Sequence, residues 1–440
     1  MPPTYLIVGN GPAGFEAAKS IRKRDGDGKI IILSSERHAF YSRPGLAYLL
    51  LGEIPETQLF SHSSADYRKL GIMILNSRVT SITPSIRNVQ LENGDHLNYD
   101  VLLLATGARA VLPDLPGIDL QGVVTFDSLD DTKRILKLSR RAKQAVVVGG
   151  GITALELVEG FVKRKVKVNY LLRSDRFWSK VFERHESRLV EQKLASLGVK
   201  IHYRTQVDQI IGRKGRVAAV QTQQGERIPC QMVGVAVGVR PRSELARDAG
   251  LSTQRGILVD EFLRTSDPYI FAAGDVAEIY IPEIDAYNIN SLWSIARETG
   301  SIAGSNMAGD RIAYSSSVAS NASLLAGIPV TIIGSVGTGD SDDDLVSIVR
   351  GDSESWQSRL DAFAVEAKNQ DSHLRLMVGQ TQLIGAVLIG AQHLSNPLQA
   401  LIENRINIVP IRDQLLEAKT DVPGLLESYW ERCRRQKRAG

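Results

Sequence analysis

The chain has 440 residues, 43% of them hydrophobic and 23% charged, with a formal net charge of +4. That length makes two or three domains, the composition is that of an ordinary globular protein, and the charge is too mild to argue for a nucleic-acid partner. Two cysteines, Cys230 and Cys433, are too few for a disulfide framework, a metal site or an iron–sulfur cluster and fit a reducing, cytoplasmic compartment; no apolar run reaches the roughly 18–20 residues of a spanning helix, and no basic segment leads into an apolar core as a secretory signal would.

Tyr5 to Val8 is a short apolar β-type run, and Phe15 to Ile21 has the texture of a helix. Between them lies Gly9-Asn10-Gly11-Pro12-Ala13-Gly14, a G-x-G-x-x-G turn. Strand, glycine turn and helix in that order form the dinucleotide-binding fingerprint. Gly9 permits the tight turn, Gly11 has no Cβ to obstruct a pyrophosphate, and Gly14 lets helix and strand pack closely. The pyrophosphate then sits at the positive end of the helix dipole. A second strand, Lys29 to Leu33, ends near Glu36, at the distance where an acid meets ribose hydroxyls.

Arg43-Pro44 forces an extended residue, and the apolar run after it predicts a helix. Met73 to Ile82, with Val79 inside it, and Asn88 to Leu97 read as strands of one small sheet, with a hairpin turn at Asn93-Gly94. Val101 to Leu104 is apolar throughout, so it reads as a buried strand. It ends at Ala105-Thr106-Gly107-Ala108-Arg109, where small residues admit a ligand to the backbone. Pro113 and Pro116-Gly117 read as a linker.

The chain then repeats its opening. Ala145 to Val148 is a strand, Gly149-Gly150-Gly151-Ile152-Thr153-Ala154 a second glycine turn, and Leu155 to Val158 the start of a second helix that carries Glu156. Two copies of one mononucleotide-binding unit are far more specific than one. The next strand, Lys167 to Leu172, ends at Arg173, with Arg176 and Lys180 nearby. A guanidinium in that place suits a 2′-phosphate and tips the expected nucleotide towards NADPH, although Asp175 is close enough to serve a ribose instead.

Val199 to Tyr203, Val217 to Thr222 and Met232 to Gly238 complete a β-type sheet. The strand before Gly274-Asp275 stops at an acid placed to accept from a polyol. Ser291 to Arg297 opens a helix whose N-terminus stabilises negative charge, with Trp293 either beside the ligand or a plain core aromatic. From Val318 the texture changes. Leu324 to Val336, Leu345 to Arg350, Leu374 to Val378 and Leu383 to Ile389 read as strands, Gly337 to Asp344 as a solvated acidic loop without EF-hand spacing, and Pro397 to Ile406 and Leu425 to Arg438 as helices. The last of these ends in a basic tail.

With these motifs the chain resembles the two-dinucleotide-binding-domain flavoproteins of the pyridine nucleotide–disulfide oxidoreductase superfamily, over about residues 4–310. The resemblance implies an α/β chain with two Rossmann-like domains. Residues 1–110 and 240–317 would form a discontinuous FAD domain, 111–239 the NAD(P)H domain, and 318–440 a smaller α+β interface-like domain. Gly9, Gly11, Gly14, Glu36, Ala105, Thr106, Gly107, Gly274 and Asp275 would serve FAD, and Gly149, Gly151, Ala154, Glu156 and Arg173 the nicotinamide nucleotide. Pro12, Ala13, Arg43, Val79, Arg109, Gly150, Ile152, Thr153, Gly238 and Trp293 are further cofactor-binding candidates. Disulfide reductases of the superfamily carry a C-x-x-x-x-C pair where this chain has Tyr41 to Tyr48, so thiol relay chemistry is excluded on residue type.

What remains resembles ferredoxin and rubredoxin reductases and the flavin portion of assimilatory nitrite reductase. Tyr41-Ser42-Arg43-Pro44-Gly45-Leu46 resembles their Y-D-R-P-P-L motif, but Ala47-Tyr48 replaces the S-K of oxygenase-coupled members. The implied activity is electron transfer between NAD(P)H and an external carrier: ferredoxin, rubredoxin or an iron–sulfur subunit. Arg43 and Glu156 are the implied catalytic pair, with Arg43 either pairing with Glu156 or holding the FAD. An oxidase or quinone reductase, and a redox-signalling or assembly subunit, are the competing readings. Direction of flow stays open, as does the choice between a homo-oligomer and a subunit of a larger oxidoreductase.

Overall fold

The computed structural model describes residues 2–281, 285–315, 318–337, 362–368, 372–417 and 420–439. Two parallel sheets repeat one design. In the first, Ile270–Ala272, Val101–Leu104, Thr4–Val8, Lys29–Ser34 and Ile72–Asn76 lie in that order, all parallel. Four of its strands are largely buried on both faces and therefore read as unbroken apolar runs, while the edge strand Ile72–Asn76 exposes Met73. The helix Pro12–Arg24 begins with proline in its first turn, ends on Arg22, Lys23 and Arg24, and buries Phe15, Ala17, Ala18 and Ile21. Proline fits where no N–H is needed, and the cations complement the helix C-terminus. A second helix, Trp293–Met307, lies against it so closely that a Cβ on Gly300 would stand 2.2 Å from the Ala13 carbonyl oxygen.

The second parallel sheet runs Lys200–His202, Lys167–Leu171, Gln144–Val148, Met232–Val235 and Val123–Val124. The helix Ile152–Lys163 follows its central strand. The β-type run expected as one sheet over Val199 to Gly238 divides: Arg216–Thr222 instead pairs antiparallel with Val207–Arg213 and Arg227–Pro229. The Met73 to Ile82 reading is corrected likewise. Ile72–Asn76 closes the edge of the first parallel sheet, and Val79–Thr83 starts a separate antiparallel sheet with Asn88–Leu91 and His96–Asn98. Asn93-Gly94 does form the turn of that hairpin, with Gly94 at φ +88°.

The C-terminal part is a five-stranded antiparallel sheet in the order Ser320–Leu325, Ile328–Gly334, Leu383–Ile389, His373–Val378, Phe363–Lys368. The single strand expected over Leu324 to Val336 is a hairpin turning at Ala326-Gly327, both at positive φ. Helices Ser395–Glu403, Val409–Leu416 and Val422–Ala439 form a common core with this sheet through Leu398, Leu401, Ile411, Leu415 and Leu426. The strand expected at Leu345 to Arg350 and the acidic residues Thr338 to Asp344 lie outside the described residues. Among the described residues no helix is long and apolar enough to cross a membrane, and no group of three or more His, Cys, Asp or Glu could hold a metal ion.

Three fully buried side chains fix the C-terminal sheet to the second nucleotide-type unit. Glu186, on the helix Arg184–Ser196, accepts from Arg375 at 2.8 and 3.1 Å and lies 3.1 Å from His373 Nε2. Arg375 also donates to the carbonyls of Val336 (2.7 Å) and Val181 (2.8 Å). Burial alone would raise the Glu186 carboxyl. The hydrogen bond from His373 and the Arg375 charge outweigh it and hold the group below its usual range.

Candidate functional site

The two glycine turns are built alike. Gly9 leaves the strand Thr4–Val8 at φ +122°, and a Cβ there would stand 2.1 Å from the Ala105 carbonyl oxygen. Gly149 leaves Gln144–Val148 at φ +142°, and its Cβ would stand 2.1 Å from the Ala236 carbonyl oxygen. Each amide bonds back to the neighbouring strand's end, Gly9 to Leu33 (2.8 Å) and Gly149 to Leu171 (3.4 Å). A Cβ on Gly14 would lie 2.0 Å from the Gly9 carbonyl oxygen, so Gly14 serves packing. A Cβ on Gly11 would meet nothing within 4 Å. Gly11 is the N-cap of the helix Pro12–Arg24 and faces open space. The turn is thus a cradle for a group not made of protein, at a helix end suited to phosphate.

That space belongs to a cavity of about 710 Å³, within the range of cofactor clefts. Of the residues expected to bind a cofactor, its wall contains Gly9, Gly11, Pro12, Ala13, Glu36, Arg43, Val79, Ala105, Thr106, Gly107, Arg109, Gly274, Asp275 and Trp293. From the second turn it contains Ile152, Thr153 and Glu156. Gly14, Gly149, Gly150, Gly151, Ala154, Arg173 and Gly238 stand outside the wall. Gly149 makes the turn, Gly151 caps the helix Ile152–Lys163, and Ala154 is buried beneath it. Gly238, at φ +132°, accepts from the Val111 amide at 2.9 Å.

Glu36 is held from two sides. Tyr41 donates to its Oε2 at 2.8 Å and Arg43 to its Oε1 at 2.5 Å. Arg43 also donates to the Asp127 carbonyl and stands 5.5 Å from the Tyr41 ring centre. The guanidinium of Arg43 is thus held against Glu36, the acid of the first unit, and against the Asp127 carbonyl. Burial, against the opposing pull of Arg43 and with help from Glu36, pushes the Tyr41 hydroxyl up to about 12, so it stays a donor at neutral pH. Each Glu36 oxygen keeps a second lone pair for a ligand hydroxyl.

At the other end of the cleft, Gly274 is at φ +73° and its amide donates to Thr299 Oγ1 at 3.1 Å. Trp293, at the first turn of its helix, lines the cleft and stacks on Phe40 at 5.7 Å with the planes 12° apart, so it is core aromatic and wall at once. Thr106 Oγ1 donates to the Arg242 carbonyl (2.9 Å), and Arg109 pairs with Glu244 at 2.6 Å.

Sequence reasoning missed part of the wall. Glu159 lines the cleft one turn after Glu156, as do Glu53 and the hairpin residues Asn321 to Leu324 and Gly327. Burial first, then the Glu53 charge, pushes the Glu159 carboxyl up to about 7, while the Ala326 amide hydrogen-bonds it and pulls the other way. The i, i+3 spacing from Glu156 puts both acids on one helix face, a signal available in the sequence.

Arg173 is exposed beyond the end of Lys167–Leu171. Asp175 accepts from Arg176 at 2.9 Å and Arg184 at 2.5 Å. Against a burial penalty, these bonds hold its carboxyl below the usual range. Neither cysteine lines the cleft. Cys230 is buried, and burial pushes its thiol up to about 12.

Residues 3–300 match the profile described as pyridine nucleotide-disulphide oxidoreductase. The chain is 32% identical over 400 residues to the ferredoxin–NAD(+) reductase component of the biphenyl dioxygenase system of Paraburkholderia xenovorans, a match covering 89% of this chain and 96% of that one. It is 32% identical over 274 residues to the rubredoxin-NAD(+) reductase of Pseudomonas putida, covering 62% of this chain and 71% of that one. The fold is shared with a ferredoxin reductase of Rhodopseudomonas palustris, with a TM-score of 0.84, 24% identity, and 96% of this chain and 100% of that one covered.

Proposed function

The chain belongs to the pyridine nucleotide-disulphide oxidoreductase family, and we propose that it is an FAD-dependent oxidoreductase that passes electrons between a nicotinamide nucleotide and an external one-electron carrier. The observation that carries the reading is one continuous cleft walled by the helix starts of both glycine turns, with no sulfur in the wall. When bound there, FAD would exchange a hydride with the nicotinamide and single electrons with the carrier, so the protein supplies position and field.

The residues divide that work. Gly11 leaves room for the pyrophosphate at a helix N-terminus. Glu36, fixed by Tyr41 and Arg43, offers acceptors to ribose hydroxyls. The helix Trp293–Met307 points its positive end at the opposite end of the cleft, where negative charge develops on reduction. Ile152, Thr153 and Glu156 wall the place for the nicotinamide. Residues 1–110 with 240–317 would hold FAD, 111–239 the nicotinamide nucleotide, and 318–440 would complete the cleft wall.

The carrier we propose is a ferredoxin, a rubredoxin or an iron–sulfur subunit, and the compartment is the cytoplasm, which suits two unpaired cysteines. For the nucleotide we propose NADPH. Asp175 is already engaged by Arg176 and Arg184, which leaves the strand end rich in cations. Anaerobic addition of NADPH should bleach the flavin of the purified protein within seconds, and added ferredoxin should then be reduced. A colourless protein that cannot be reconstituted with FAD sinks the reading. Rapid dioxygen consumption with no carrier present would favour an oxidase instead.

A further inference from the structure

The cleft contains an acid that the proposed chemistry does not use. Glu159 lies one turn beyond Glu156 on the helix Ile152–Lys163 and shares the cleft wall with it. Its carboxyl lies near the Ala326 amide, at the turn of the hairpin Ser320–Leu325 and Ile328–Gly334. Leu325 and Ala326 are buried in the same core as Leu155 and Val158, so the hairpin turn is seated on this helix. Asn321 to Leu324 and Gly327 continue the wall from there.

The charges around Glu159 are few. Glu53 follows the helix Gly45–Leu51, which itself carries only Tyr48 as a titratable group. Arg164, bonded to the Leu50 carbonyl at 2.9 Å, stands near the same corner. Glu156 and Lys163 are the neighbours on its own helix, and the hairpin strands contain no ionisable side chain. Nothing in that list makes a close ion pair with Glu159, so its charge is felt in the cleft.

An oxidised nicotinamide ring carries a positive charge that the reduced ring lacks. A carboxylate in the wall therefore favours the oxidised form by Coulomb attraction, and the loss of that charge removes the preference. We propose that Glu159 is a positioning residue that makes the cleft's preference for oxidised over reduced nicotinamide nucleotide depend on pH. The inference rests on the proposed function, in which the helix Ile152–Lys163 walls the nicotinamide place. Burial in the wall and the nearby Glu53 charge push the carboxyl up to about 7, which brings the effect into the physiological range.

The test uses the flavin-loaded protein and two probes, NAD+ and NADH, which lack the 2′-phosphate that itself titrates near pH ~6. Dissociation constants are read by calorimetry for NAD+, and by nucleotide fluorescence with FAD replaced by a non-reducible analogue for NADH. Across pH 7, wild-type affinity for NAD+ should rise about three- to tenfold while that for NADH stays flat. Glu159→Gln keeps the size and shape of the side chain but loses the charge, so its NAD+ affinity should not change with pH. Glu53→Gln removes a repelling charge, so the wild-type step should move to lower pH. A step that survives in Glu159→Gln, or its absence in the wild type, overturns the inference. Flavin reduction by NADH and NADPH is scored separately. Flavin that is reduced while NAD+ binding ignores pH sinks this inference alone; flavin that neither nucleotide reduces sinks the proposed function and this with it.

Discussion

Gly11→Ala isolates the turn's binding role from its folding role. The three glycines of the first turn differ in what a methyl group would strike. At Gly9 it would lie 2.1 Å from the Ala105 oxygen at φ +122°, and at Gly14 2.0 Å from the Gly9 oxygen. Both substitutions force backbone apart and should unfold or badly strain the unit. At Gly11 the methyl meets nothing within 4 Å of protein, so the variant should fold with an unchanged unfolding midpoint. The methyl instead enters the space proposed for the pyrophosphate. Loss of one or two charge-assisted hydrogen bonds costs about 1.5–3 kcal/mol, which is about a 10- to 150-fold weaker FAD affinity. The assay is the flavin-to-protein absorbance ratio on purification, followed by fluorescence titration of the stripped protein with FAD. Gly11→Ala protein that keeps full flavin with wild-type affinity would show that the pyrophosphate does not sit on this turn.

The other predictions concern the supports of the cleft. Glu186→Gln removes the carboxylate that Arg375 and His373 share; it leaves the buried guanidinium with only the longer Glu183 contact, at 3.9 Å, among the described residues, and should cost up to about 3–5 kcal/mol in chemical denaturation. The pH sign follows from a carboxyl held below 4.5: its stabilisation is present above that value and is lost as pH falls through the lowered native one, so the wild type should lose its advantage over Glu186→Gln in acid. Arg43→Ala frees Glu36 and Tyr41 and should lower flavin retention and the rate of flavin reduction; a variant unchanged in both would remove Arg43 from the site. Arg173→Ala should weaken NADPH about 10-fold and NADH hardly at all, as a lost charge-assisted phosphate contact would; equal affinities in the wild type would mean that this arginine serves no phosphate.

The parts legible in the sequence are those where backbone geometry demands a residue type. Gly9 and Gly149 sit at positive φ against a carbonyl oxygen, so only glycine serves, and the repeat of that demand revealed both nucleotide-type units. Buried parallel strands such as Val101–Leu104 read from apolarity alone. The hairpin at Ala326-Gly327 escaped because Leu324 to Val336 is apolar nearly throughout, and Ala326 at φ +52° is a conformation its residue type does not announce. Val207–Arg213 escaped because its Asp, Gln and Arg face solvent. Ile72–Asn76 and Val79–Thr83 merged because only two residues separate strands of different sheets. The Glu186, His373 and Arg375 contact joins residues nearly two hundred positions apart, and no local pattern encodes such a meeting.

That distant contact and the cleft are mechanically one object. Arg375 lies on His373–Val378, which pairs with Leu383–Ile389, which pairs with Ile328–Gly334, the second arm of the hairpin that walls the cleft. The Arg375 guanidinium also bonds the Val336 carbonyl, just beyond that arm. A sheet transmits displacement through its ladder of hydrogen bonds, and a close-packed interior does not absorb it locally. The buried ion network therefore does more than dock the C-terminal sheet: it sets where Asn321 to Gly327 stand relative to Glu156 and Glu159. On this argument Glu186→Gln should weaken nicotinamide nucleotide binding while leaving FAD affinity at its wild-type value, because the Gly11 and Glu36 end of the cleft rests on the other parallel sheet. If both affinities held steady in a folded Glu186→Gln protein, the C-terminal sheet would be docked independently of the wall it completes.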